Sequence, residues 1–90
     1  MITANVIRAV QDLLKERGIE QRPNERLGDY VARGLGVSDA EAEAFLEAVH
    51  GGASVEEAER KAGIKIEPAH RSLLTDIARA IGSALGRLAG

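Results

Sequence analysis

The chain has no cysteine and no tryptophan, and only one tyrosine (Tyr30) and one phenylalanine (Phe45) among its 90 residues. Without thiols there is no disulfide, no thiolate nucleophile and no thiolate metal site, although this names no compartment. With two aromatics the core must be built from Val, Ile, Leu and Ala. No run of about 18 apolar residues exists, which excludes a membrane-spanning helix. The opening stretch MITANVIRAV lacks the charged start and continuous apolar run of a secretory signal. The expectation is a cytoplasmic protein. Only Pro23 and Pro68 break the helical periodicity, and there is no alternating strand pattern, low-complexity tract or long linker.

Charge of one sign is also missing where it matters. The net charge of −2 gives no hint of nucleic acid taken whole, yet residues 34–59 carry seven acids and no Lys or Arg. Residues 60–90 carry six basic groups against only Glu67 and Asp76. An acidic middle followed by a basic end is a segregated pattern that calls for a reason. Size adds a second constraint. A chain this short buries only roughly 60–65% of its unfolded surface, and thin aliphatic cores of this kind often gain stability through self-association.

The pattern predicts a single all-α domain over 1–90, a compact bundle of four to five short helices with a long amphipathic C-terminal helix. The first helix follows Thr3 or Asn5 as N-cap, with Ile2, Val6, Ile7, Val10, Leu13 and Leu14 at helical spacing. It stops at Gly18, with Ile19 folding back as the apolar partner. Pro23 suits the first turn of a second helix carrying Leu27, Tyr30 and Val31, ending at Gly34. Ser38 with Glu41 forms a capping box, and Val37 and Ala42 sit at the staple positions. That third helix turns Ala42, Phe45, Leu46 and Val49 inward and ends at His50-Gly51-Gly52. Ser54 with Glu57 repeats the box for a short helix closing at Gly63-Ile64.

The last helix starts near Pro68. At 100° per residue, Leu73, Leu74, Ile77, Ile81, Ala84, Leu85 and Leu88 fall in one arc of about 120°. Beside it runs a stripe of Ala78, Gly82, Gly86 and Gly90. An interior glycine costs roughly 1 kcal/mol relative to alanine, so the pattern predicts close approach of another helix, either the first helix of the chain or the last helix of a partner. The predicted interface is Ala78, Ile81, Gly82, Leu85 and Gly86. A membrane-surface role fits poorly, because Arg79 and Arg87 are the only cations after Arg71 and Asp76 offsets one of them.

Two stretches resemble known modules. GASVEEAERKAGIKIEPAHRS resembles a helix-turn-helix. With Gly63 as its turn glycine, Ala58, Ala62, Ile64 and Ala69 take inward apolar places, while Glu59 stands where a small residue belongs and Ser72 at the last apolar place. The resemblance implies DNA contacts from Lys65, His70 and Arg71, with Arg60 and Lys61 on phosphates. The acids upstream would repel the same phosphates, and a plain corner between two helices satisfies the same residues. LGVSDAEAEAFLEAVHGGASVEEAERKAG resembles a ubiquitin-associated-type three-helix module, with Leu35-Gly36-Val37 in place of the Met-Gly-Phe loop. It departs from that family in a longer polar loop and a missing aromatic, and it implies protein binding through the loop and the last helix.

Glu47 with His50 and Glu67 with His70 are two Glu-x-x-His pairs, which with carboxylates from two other helices would suit a di-metal bundle. Both lie at helix ends rather than mid-bundle, so no metal ligands are assigned. No nucleophile elbow, phosphate-binding glycine loop or convergent polar set points to catalysis. The expectation is a non-enzymatic protein without cofactors that acts through protein–protein contact with itself, as a homo-oligomer. A DNA-binding regulator built on residues 54–72 is the alternative, and a di-metal bundle the minor one.

Overall fold

With one exception, the helices begin where a residue can satisfy or dispense with a free backbone N–H. In the computed structural model, which describes residues 3–86, there are five: α1 (Ala4–Glu16), α2 (Leu27–Leu35), α3 (Asp39–His50), α4 (Val55–Ala62) and α5 (Pro68–Ala84). Thr3 caps α1 by accepting from the Val6 N–H at 3.4 Å. Ser38 and Ser54 both form complete capping boxes, their hydroxyls accepting from Glu41 and Glu57 N–H at 3.2 Å. Pro68 opens α5, where its missing N–H costs nothing. Helix α2 is the exception, its first residue following Arg26 without a side-chain cap.

The stops are equally local. After α1 the Ile19 N–H donates to the Leu14 carbonyl and Gly18 to Lys15; after α4, Ile64 donates to Glu59 and Gly63 to Arg60. These are the paired bonds of the Schellman ending, in which a left-handed glycine is followed by an apolar residue.

Three boundaries differ from expectation. Pro23 is not in a helix: the Glu25 N–H donates to the Arg22 carbonyl at 3.1 Å and Asn24 takes a φ of 64°, the arrangement of a type II turn. The Glu25 carboxylate holds that turn by accepting from the Arg22 N–H and from Arg33, which delays the helix to Leu27. Helix α2 then runs through Gly34 and stops at left-handed Gly36. Gly34 serves packing instead, since a β-carbon there would lie 3.1 Å from Leu14 Cδ2 and 3.3 Å from Ile19 Cδ1. Finally, α5 ends at Ala84 after 17 residues, and Gly86 is a cap at φ 73°, not an interior residue. Ile2, Arg87, Leu88 and Gly90 lie outside the described residues.

Helix α3 is the hub. It packs on α2, α4 and α5, while α1 lies mainly against α5. Val6, Val10 and Leu14 of α1 meet Tyr30, Val31 and Leu35 of α2, Phe45 and Leu46 of α3, and Leu74, Ile77 and Ile81 of α5 in one cluster. All are at most 1% exposed, so each contributes about 1.5–3 kcal/mol from burial. The buried Tyr30 hydroxyl donates to the Ile19 carbonyl, which ties the α1–α2 connection to the core. The radius of gyration, 11.9 Å, matches the roughly 12 Å of a close-packed domain this long. Helix α4 buries only Ala58 and, at eight residues, is too short to persist alone. Its capping box and its contact with α3 hold it.

Candidate interaction surfaces

The basic end of the chain becomes a corner between α4 and α5, joined by residues 63–67. Glu59, which the helix-turn-helix pattern places between the helices, is only 14% exposed at its side chain and pairs with Arg71. The ion pair explains how a glutamate is tolerated there, and it occupies part of the Arg71 guanidinium. Arg60 and Lys61 are exposed in the last turn of α4, each one helical turn beyond Glu56 and Glu57, the spacing at which opposite charges attract. The Glu57 carboxyl is held below the usual range first by the Ser54 backbone N–H and then by its hydroxyl, against desolvation, with Lys61 and Arg60 adding to the effect.

Lys65 is exposed in the connection. His70 is half-buried, and a β-carbon on Gly36 would lie 3.4 Å from its Cε1. Its Nδ1 is buried without a hydrogen-bond partner among the described residues. Ala69 and Ser72, two inward places of the helix-turn-helix pattern, are exposed. The corner therefore leaves Arg60, Lys61, Lys65 and half of Arg71 facing water, while His70 packs against the α2–α3 turn.

Helix α5 divides the predicted interface. Ile81 is fully buried in the chain's own core, and Gly86 is an exposed cap. Ala78, Gly82 and Leu85 are half-buried along one flank. A β-carbon added to Gly82 would meet nothing within 4 Å among the described residues. The first helix is therefore not the close neighbour that the glycine implied. Contact with α1 lies on the other flank, where Arg17 pairs with Asp76 and Arg79 approaches Asp76 at 3.5 Å.

A third surface follows from the acidic middle. Asp39, Glu43 and Glu47, one per turn of α3, are exposed, and none takes part in an ion pair among the described residues. The Asp39 carboxyl is raised by its hydrogen bond with Asp29, by partial desolvation, and by the nearby charges of Asp29, Glu43 and Glu25. The period of four was visible in the sequence; the absence of a facing cation was not.

The two Glu-x-x-His pairs do not come together into a site, since no group of three His, Asp or Glu side chains has metal-binding proximity among the described residues. The stretch resembling a ubiquitin-associated-type module, residues 35–63, supplies the last residue of α2, the turn at Gly36 and helices α3 and α4, and the first turn of α5 places His70 against Gly36. No described helix is long and apolar enough to cross a membrane. No protein family, curated protein or solved structure matches this chain.

Proposed function

We propose that the protein is a non-enzymatic, cytoplasmic interaction module that associates with itself through the α5 flank formed by Ala78, Gly82 and Leu85. The observation that supports this reading is the open space over Gly82. A helical glycine costs up to roughly 1 kcal/mol against alanine, and no described residue outside the helix's own backbone comes within 4 Å of where a β-carbon would lie. A partner helix crossing there uses the glycine; solvent does not. Light scattering across a concentration series tests the proposal. At physiological salt, where exposed charge contacts are screened, mass should rise above that of one chain, and Gly82→Leu should abolish the rise while helicity by circular dichroism is kept. A wild type that stays monomeric at high micromolar concentration overturns it.

The competing reading, a DNA-binding regulator, draws on the exposure of Arg60, Lys61 and Lys65. Against it stand the glutamates one turn behind Arg60 and Lys61, and the Arg71–Glu59 pair. Duplex binding needs several uncompensated cations and falls steeply with salt. A gel-shift series with Lys65→Ala as control decides it. Arg71→Ala is a poor control, because it also leaves half-buried Glu59 without its cation.

A further inference from the structure

The corner between α4 and α5 holds an open depression of about 440 Å³ lined by Gly63 and Ile64, by the cations Arg60, Lys65 and Arg71, and by Glu56 and Glu59. Three cations against two glutamates leave one positive charge in excess. Glu59 anchors Arg71 from one side, and with its side chain 52% exposed the rest of that guanidinium remains open to the depression. A β-carbon on exposed Gly63 would meet nothing within 4 Å among the described residues, so there is room beside it for an incoming side chain.

We propose that a second copy of this chain seats the exposed α3 row of Asp39, Glu43 and Glu47 against this depression, head to tail. The row spans about 12 Å along the helix at a 1.5 Å rise per residue. Exposed Ala40 and half-buried Ala44 lie on the same side, small enough to let the helix approach. The depression's positive charge, in excess by one, can take carboxylates, whereas a duplex needs several uncompensated cations. Row and depression sit on neighbouring helices of one rigid fold, so they meet only between copies. The contact joins two different surfaces, and such contacts extend into open chains unless the rotation closes a ring. The carboxylates of the row repel one another with no ion-pair partner among the described residues, and the neighbour's Arg60, Lys65 and Arg71 would relieve that repulsion.

This proposal rests on the self-association reading but uses a different surface, so the two can fail separately. Glu43→Lys with Glu47→Lys reverses the row, and Arg60→Glu with Lys65→Glu reverses the depression while sparing the Arg71–Glu59 pair. Each double variant, checked for unchanged helicity, should self-associate about tenfold more weakly or worse than wild type at low salt, because like charges now face each other. An equimolar mixture should regain association, since each reversed row then meets a reversed depression. A mixture as weak as its components, or a double variant that associates like wild type, overturns the proposal. At low salt Gly82→Leu should keep the part of the association that the double variants lose, because charge contacts are screened as salt rises. If it abolishes association there as well, the flank reading stands and this one falls; a wild type monomeric at low salt overturns both. Binding of a short DNA duplex that Arg60→Glu with Lys65→Glu loses would assign the depression to nucleic acid instead.

Discussion

Gly82 and Gly34 both lie in the last turn of a helix, yet alanine should act in opposite directions at the two sites. At Gly82 the new β-carbon meets nothing within 4 Å among the described residues, so a helix-propensity gain of up to about 1 kcal/mol is available. For a domain this size that corresponds to a rise in Tm of up to about 4–8 °C. At Gly34 the same gain is offset by a methyl group lying 3.1 Å from Leu14 Cδ2 and 3.3 Å from Ile19 Cδ1. Leu14 is fully buried and has little room to yield. Overpacking of that kind costs about 1–3 kcal/mol, giving a net change from near zero to a loss of about 2 kcal/mol. The two variants should therefore differ by about 1–3 kcal/mol. Urea and thermal unfolding followed by far-ultraviolet circular dichroism at low micromolar concentration measure the difference on the dissociated chain. Gly82→Ala melting below wild type, or Gly34→Ala melting above Gly82→Ala, would refute the packing argument.

Ser38→Ala and Ser54→Ala each remove the acceptor of a helix N–H and should each cost about 1 kcal/mol; unchanged unfolding midpoints would contradict the boxes. Tyr30→Phe removes the hydroxyl that donates to the Ile19 carbonyl and should cost about 0.5–1.5 kcal/mol in urea unfolding, with no loss meaning that water replaces the bond at no cost. The Glu25 carboxyl is lowered from 4.5 to about 2, chiefly by its Arg33 hydrogen bond and then by the Arg22 N–H. Because the folded value lies below the unfolded one, this group's contribution to stability is fully present above about pH 4.5 and is lost as pH falls through about 2. Arg33→Gln should return Glu25 toward its ordinary value and weaken that acid limb, and an unmoved Glu25 midpoint in a carboxyl NMR titration would refute the assignment.

Most helix ends were legible because they are decided within one turn. Ser38 and Glu41 need only each other, as do Ser54 and Glu57, and the glycine–apolar endings at Gly18-Ile19 and Gly63-Ile64 close onto carbonyls of their own helices. The inward positions of α1, α3 and α5 followed from period alone, and Val6, Phe45 and Ile77 are buried where the period puts them. The candidate surfaces were only half legible. Sequence placed Arg60, Lys61, Lys65 and Arg71 together on one stretch, but it could not show Glu59 closing on Arg71 or His70 turning onto Gly36.

Taken by itself, the sequence determined the helical class, the caps and the inward residues, because periodicity and capping depend on neighbours three or four positions apart. The turn at Pro23 and left-handed Asn24 is closed locally between Arg22 and Glu25. Tertiary structure alone decided that Arg33 from α2 holds its Glu25 carboxylate. It decided that Gly34 packs against Leu14 and leaves the stop to Gly36, and that Gly82 faces open space while α1 takes the other flank of α5. Each of these outcomes depends on which residue from a distant segment arrives beside the position. A glycine spared for close packing and one spared for a partner look identical until the opposing atoms are in place.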